Sequence, residues 1–193
     1  GDAEEGEADL EPPIAALLDG MPMTQHDLLA ERLIVDDPDS FADKYGGAAE
    51  QRHGTAMASL ILHGDLNARD PKPPVRSRLY VRPVMYSQPD GFDDVRELMP
   101  ADRLGIDLMW RAFIRMFDGE GDAEPTAQTV RIINLSLGDA KRRFAGVMSP
   151  WARLIDHLAW RYNVLILVSA GNIPELFPLD DVPQWGHFEH ADV

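Results

Sequence analysis

The sequence predicts an α/β fold with a doubly wound, mainly parallel sheet and helices on both faces. Short, continuous apolar runs at residues 14–18 and 164–168 lack polar–apolar alternation, which is typical of strands buried on both faces of a sheet. Segments with apolar residues at helical spacing, such as residues 151–162, stand between the apolar runs. Strands that alternate with helices form parallel sheets through right-handed crossovers.

The first twelve residues differ in composition from the remainder of the chain. Residues 1–12 are acidic and low in complexity, so we expect a solvated, flexible tail. Residues 13–193 are predicted to form one domain, because the chain of 193 residues is 45% apolar and long enough to bury a core.

The elements of this domain follow from apolar spacing and from turn-forming residues. The predicted elements are, in order, strands at 14–18 and 34–35, a helix at 54–63, a strand at 78–84, a helix at 101–117, a strand at 130–138, a helix at 151–162 and a strand at 164–168. Polar residues predict a loop at 36–51, and Pro89, Asp90 and Gly91 predict a further loop.

Charge and composition exclude several classes of function. The net charge of −15 argues against nucleic acid or an anionic membrane as a partner. The absence of cysteine excludes a disulfide framework, a thiolate zinc site and a cysteine nucleophile. No loop has the Asp/Asn-x-Asp-x-Asp-Gly spacing of a dedicated calcium site, although acidic clusters are able to hold calcium. We therefore expect no cofactor and no metal.

Three polar residues stand where the predicted topology brings them together. Asp19 closes the first strand, His53 opens the first helix and Asn172 follows the last strand. Active sites of such sheets gather at the carboxyl ends of the strands. A carboxylate orients an imidazole, an imidazole takes up a proton, and an amide donates to a developing oxyanion. Each residue also has an ordinary explanation, because Asp-Gly and Gly-Asn are common turns and a helix sometimes begins with histidine.

The segment around His53 suggests a general base. The positive end of a helix disfavours a charged imidazole, so we expect His53 to be neutral near pH 7. Gly54 leaves room for a close approach by backbone or substrate, and the Thr55 side chain is expected to accept from free amides of the first helical turn.

Four short segments carry a resemblance to a known family. They are Ile-Ala-Ala-Leu-Leu-Asp-Gly at 14–20, His-Gly-Thr-Ala-Met-Ala at 53–58, Ile-Asn-Leu-Ser-Leu-Gly at 133–138 and Val-Ser-Ala-Gly-Asn at 168–172. In this order they resemble the aspartate, histidine, cleft-strand and oxyanion-hole segments of the subtilases, the subtilisin-like serine proteases. The resemblance covers about residues 13–175 and implies a subtilisin-like peptidase domain.

The resemblance implies a catalytic role for three residues. Asp19 would accept a hydrogen bond from one ring nitrogen of His53, which fixes the tautomer and orientation of the ring. His53 would deprotonate a serine hydroxyl and later protonate the leaving amine. The side-chain amide of Asn172 would donate to the tetrahedral oxyanion.

The resemblance also implies a substrate-binding role for five residues. Ser136, Leu137 and Gly138 would offer their backbone to an extended peptide, which adds as a strand. Gly138, together with Ala170 and Gly171, would keep open the pocket for the residue before the scissile bond.

Two departures from the family pattern stand out. The family places its serine in a Gly-Thr-Ser-x-Ala segment, and no serine of this sequence has that setting; Ser149, for example, precedes Pro150 and is expected to cap the next helix. We therefore interpret residues 13–193 as a truncated, partial peptidase domain that is inactive alone. The second departure is Gly20-Met21, where a small hydroxyl residue and a glycine are usual.

These observations leave alternatives open. A serine endopeptidase would act on a polypeptide, whereas a pseudoprotease would bind peptide or a partner protein without catalysis. An unrelated doubly wound binding domain is a third reading. An uncovered sheet would also permit self-association or pairing with a missing C-terminal segment. The acidic composition without cysteine slightly favours an intracellular location, although the resemblance implies a family that is often secreted.

Overall fold

The computed structural model describes residues 10–89, 95–137 and 147–169, which form strands and helices in alternation. The elements are β1 (Glu11–Asp19), β2 (Leu33–Val35), α1 (Arg52–His63), β3 (Ser77–Pro83), β4 (Tyr86–Pro89), β5 (Val95–Leu98), α2 (Gly105–Phe117), β6 (Ile132–Leu135), α3 (Pro150–Tyr162) and β7 (Leu165–Val168). Two short 3₁₀ turns, Phe41–Lys44 and Ala48–Glu50, lie between β2 and α1.

Five of these strands form a parallel sheet in the order β2-β3-β1-β6-β7. The central strand β1 is continuous and apolar because both of its faces are covered, and Ala16, Leu17 and Leu18 are fully buried. Asp19 at its end is paired with Pro83 at the end of β3. The carboxyl ends of the central strands therefore share one edge of the sheet.

Helices lie on both faces of the sheet. On one face, Ala16 and Leu18 belong to the larger core cluster, which includes Phe113 of α2 and Leu158 of α3. On the other face, Leu17 packs in a smaller cluster with buried residues of α1. The predicted doubly wound α/β fold is confirmed.

The α1 face of the sheet is covered over only part of its width. Side chains of β6 and β7 on this face are exposed, with 39% for Ile132, 57% for Leu165 and 47% for Leu167. A groove of about 230 Å³ lies here and is lined by Ile132, Leu167 and Ile61 of α1, among other residues. Because parallel sheets are normally covered on both faces, this half of the face lacks a covering element among the described residues.

Two elements differ from the sequence-based expectation. Strand β1 begins at Glu11, inside the predicted tail of residues 1–12, because Glu11 pairs with Ser77 and its N–H donates to the carbonyl oxygen of Arg76. The antiparallel hairpin of β4 and β5 occupies a stretch where the sequence predicts no strand. Tyr86 is paired there with Leu98.

The predicted strand at 78–84 is present as β3, and it carries one fully buried charged side chain, Arg82. Arg82 has no exposed surface and donates to the Asp39 carboxylate at 2.6 Å and to the carbonyl oxygen of Asp36 at 3.3 Å. Arg115 of α2 donates to both carboxylate oxygens of Asp36 at 2.9 Å. Ion pairs therefore compensate the charge of the buried guanidinium, although its Nε has no hydrogen-bond partner among the described residues, and they fasten the loop after β2 to β3 and α2.

Candidate active site

Asp19 and His53 meet at the carboxyl edge of the sheet. Asp19 is the last residue of β1 and is fully buried, whereas the side chain of His53 in the first turn of α1 is 49% exposed. The ring Nδ1 of His53 lies 2.8 Å from Oδ1 of Asp19. The structure thus brings together the carboxylate and the imidazole that the sequence singled out.

Two glycines allow the end of β1 and the start of α1 to approach each other. A Cβ atom on Gly54 would overlap the carbonyl oxygen of Gly20 and lie 2.9 Å from its carbonyl carbon. No side chain fits at that position unless the backbone moves. The expectation that Gly54 makes room for backbone is confirmed.

Only one of the two carboxylate oxygens of Asp19 has hydrogen-bond partners among the described residues. Its Oδ1 accepts from the N–H of Gly20 at 2.6 Å as well as from His53. Its Oδ2 is buried and has no hydrogen-bond partner within the described ranges. An unsatisfied buried acceptor costs about 1–3 kcal/mol. Among the described residues, the Gly20 N–H and the His53 ring are the hydrogen-bond partners that offset this cost.

The interaction with Asp19 sets the protonation of His53. The hydrogen bond with Asp19 raises the pKa of His53 above its ordinary value; burial acts in the opposite direction, and the charges of Asp19 and Glu97 add to the increase. The expectation that the surroundings of the ring disfavour its charged form is therefore wrong, because the adjacent carboxylate outweighs the helix dipole. A neutral ring near pH 7 stays a prediction.

The second ring nitrogen of His53, Nε2, is the one that does not face Asp19. Because a carboxylate oxygen accepts, Nδ1 of His53 carries the proton of that hydrogen bond, and the neutral ring keeps its lone pair on Nε2. Within the described part of the chain, Nε2 has no hydrogen-bond partner. The ring therefore offers a proton acceptor to a group approaching from solvent.

Thr55 has a different role from the expected one. Its hydroxyl donates to the carbonyl oxygen of Gln51 at 2.6 Å and accepts from the N–H of Met23 at 2.9 Å. It therefore does not accept from amides of the first helical turn. Instead, it ties the segment after Asp19 to the beginning of α1 and supports the contact with His53.

The site also contains a carboxylate that the sequence analysis missed. Oε1 of Glu97, on β5, accepts from the hydroxyl of Tyr45 at 2.7 Å, and a Cβ atom on Gly20 would overlap this carboxylate. The only signal in the sequence is the residue after Asp19, which is glycine where a small hydroxyl residue is usual.

The predicted substrate strand follows β6 at the same edge of the sheet. The hydroxyl of Ser136 donates to Oδ1 of Asn134 at 2.6 Å, and the side chain of Leu137 packs against the larger core cluster. The remaining predicted site residues lie outside the described residues and stay predictions. They are Gly138, Ala170, Gly171 and Asn172.

The same described part of the chain has neither a cluster of metal-ligand side chains nor a membrane-spanning helix. Residues 10–89, 95–137 and 147–169 contain no group of three or more His, Asp or Glu side chains arranged to hold a metal ion. None of the helices in these ranges has the length and apolar character needed to cross a membrane.

The fold and the site define a class of protein, an α/β domain with a carboxylate–imidazole pair at the carboxyl edge of a parallel sheet. The sequence profile of the subtilase family matches residues 13–184, and the chain belongs to this family. A segment of 43 residues, 22% of this chain, is 54% identical to the uncharacterized protein y4bN of Sinorhizobium fredii and covers 10% of that protein.

Two solved structures are similar to 86% of this chain at 20% sequence identity. They are the prenylagaramide maturation protease PagA, with a TM-score of 0.49, and a mutant of the protease domain of PatA, with a TM-score of 0.46. The match covers 47% of the first and 53% of the second, so the chain spans about half the length of these structures.

Substitution of Gly54 tests the close packing of α1 on β1. Because a Cβ atom would overlap the carbonyl oxygen of Gly20, we expect Gly54→Ala to lower the free energy of unfolding by about 1–3 kcal/mol in urea denaturation. Gly47→Ala is the matched control, since a Cβ atom there meets no atom within 4 Å and should change the stability by less than about 0.5 kcal/mol. Equal stability of the two variants would contradict the packing.

Removal of the Asp19 charge tests the electrostatics of the pair. We expect Asp19→Asn to lower the pKa of His53 in an NMR titration, because the hydrogen bond and charge that raise it are lost. Asp65→Asn, beyond the far end of α1, is the control and should leave the pKa of His53 unchanged.

The same pair makes stability depend on pH. A raised folded-state pKa stabilises the native protein fully below the ordinary histidine value of 6.5, and this contribution is lost as pH rises through the folded-state pKa. The difference in unfolding free energy between the wild type and Asp19→Asn should therefore shrink as the pH is raised from 6.5. A difference that stays constant would count against the coupling.

Proposed function

We propose that this domain is part of a serine endopeptidase that hydrolyses peptide bonds by a Ser/His/Asp mechanism. The hydrogen bond from Nδ1 of His53 to Oδ1 of Asp19 is the observation that supports the proposal. Held in this way, the ring directs Nε2 away from Asp19, where it takes the proton of a serine hydroxyl and later gives it to the leaving amine. Asp19 fixes the tautomer and stabilises the imidazolium that forms.

The proposed substrate is a polypeptide bound in extended form at the carboxyl edge of the sheet. The backbone of Ser136, Leu137 and Gly138 would pair with it as an added strand. Asn172 would donate to the oxyanion, and Ala170 with Gly171 would leave space for the side chain before the scissile bond. The position of Ser136 directly after β6, next to the strand that ends in Asp19, is consistent with this arrangement.

The nucleophile in this proposal comes from a segment other than these 193 residues, none of whose serines lies in a Gly-Thr-Ser-x-Ala setting. The open half of the α1 face suggests where that segment packs, since Ile132, Leu165 and Leu167 are apolar and exposed there. A helix that begins at the carboxyl edge of this half-face would start beside the first turn of α1, where His53 lies.

A serine-directed phosphonate tests the catalytic proposal. We expect no labelling and no peptidase activity from the 193 residues alone, and stoichiometric labelling of a gene product that also includes a Gly-Thr-Ser-x-Ala segment. In that longer protein, Asp19→Asn should reduce kcat about 10⁴-fold, as expected when the imidazole loses its orienting carboxylate. Arg52→Gln, next to His53 in α1, is the matched control and should retain activity.

The opposite outcomes are equally specific. Labelling of the 193 residues alone would show that one of their own serines is the nucleophile. Peptide binding by the longer protein without labelling or hydrolysis would favour the pseudoprotease alternative.

The open half-face predicts how the 193 residues behave without a covering segment. We expect concentration-dependent self-association in light scattering, because association of two copies would bury the exposed apolar side chains of these strands. Leu165→Thr with Leu167→Thr should weaken it, since threonine keeps the strand propensity but removes apolar surface. Leu66→Thr, at a side chain that is 55% exposed in the loop after α1, is the control. A monomer that melts cooperatively at all concentrations would contradict the expectation.

A further inference from the structure

The hairpin of β4 and β5 places Glu97 against the turn that joins Asp19 to the following chain. The Glu97 carboxylate lies in the space that a side chain on Gly20 would occupy. The carbonyl of Gly20 in turn packs against Gly54, the residue after His53. Glu97 is therefore next to both members of the Asp19–His53 pair without being part of it.

Tyr45 fixes the position of this carboxylate. Its hydroxyl donates to Oε1 of Glu97 at 2.7 Å and accepts from the N–H of Met21 at 2.9 Å. Burial raises the pKa of Tyr45 well above its ordinary value, and the hydrogen bond with Glu97 adds to the increase. The hydroxyl therefore stays protonated at neutral pH and connects β5 with the turn after Asp19.

The charge of Glu97 faces the beginning of α1. This helix has no side-chain cap at Gln51 and no acidic residue in its first turn. Burial raises the pKa of Glu97, and repulsion by Asp19 adds to this, whereas hydrogen bonds from Tyr45 and from the backbone amide of His53 favour the charged form. A carboxylate from another element thus acts at an uncapped helix N-terminus.

We propose that Glu97 is a positioning residue for the Asp19–His53 pair. Glu97 accepts from the Tyr45 hydroxyl, which also binds the N–H of Met21, and it packs on Gly20, whose carbonyl contacts Gly54. Through these contacts it holds the turn after Asp19 against the start of α1, and its negative charge supports the protonated imidazole. Among the described residues, the titratable groups that face His53 are Asp19 from β1 and Glu97 from β5, with the Tyr45 hydroxyl between β5 and the turn. The inference rests on the proposed function, in which His53 must stay oriented and carry a proton during turnover.

An NMR titration of the His53 ring in the 193-residue chain tests this role. Glu97→Gln keeps the shape and an acceptor for Tyr45 but removes the charge, so we expect the pKa of His53 to shift downward. The matched control is Glu50→Gln. Glu50 precedes α1 and accepts from the N–H of Gly46 at 2.9 Å, and its substitution should leave the His53 titration in place.

A second variant keeps the test decisive if the amide substitution prevents folding. Tyr45→Phe removes a hydrogen bond that favours the charged form of Glu97, so the pKa of His53 should shift in the same direction by a smaller amount. If the role of Glu97 were purely structural, its substitution would lower the urea midpoint of unfolding and leave the pKa of His53 unchanged. An unmoved titration in a folded variant of Glu97 or Tyr45 would overturn the inference.

The titration requires no serine, so its outcome is separate from the test of peptidase activity. A lowered His53 pKa in a protein that never reacts with a phosphonate would keep the positioning role and remove the endopeptidase proposal. An unmoved His53 pKa in an active peptidase would keep the proposed function and remove the role of Glu97.

Discussion

The contact of the Gly20 backbone with Gly54 is the constraint on which the site depends. It lets α1 start against the end of β1, which places the imidazole of His53 2.8 Å from the buried carboxylate of Asp19. The Thr55 hydroxyl ties the same two segments together, and the Tyr45–Glu97 pair contacts the turn after Asp19. A short ion pair with one half-exposed partner contributes little to stability by itself, so its geometry relies on this packing.

The sequence predicted those features that depend on local pattern. Continuous apolar runs predicted the parallel strands, and helical spacing predicted α1 and α3, whose N-terminus is capped by Ser149 as expected. The meeting of Asp19 and His53 was also predictable, because the end of a central strand and the start of the helix over it share the carboxyl edge of the sheet. Their distance was not, since it depends on packing between segments far apart in sequence.

Features that arise from tertiary contacts were not predictable from the sequence. The hairpin of β4 and β5 is short and polar, so it has no apolar period, and the role of Glu97 appears only when β5 is placed beside Gly20. Arg82 is buried because Asp39 satisfies its charge. The pKa of His53 also depends on a tertiary contact, since a carboxylate in direct contact outweighs the partial charge of a helix end.

The position of the proton on the neutral imidazole tests the arrangement most directly. A bond from Nδ1 of His53 to Asp19 requires the neutral ring to be protonated at Nδ1 and bare at Nε2, the state needed in a general base. Nitrogen chemical shifts of the His53 ring, assigned by comparison with His53→Gln, distinguish the two tautomers above the pKa of the ring. We predict the Nδ1-protonated form in the wild type and its loss in Asp19→Asn. A ring protonated at Nε2 in both proteins would contradict the pairing of Asp19 with His53.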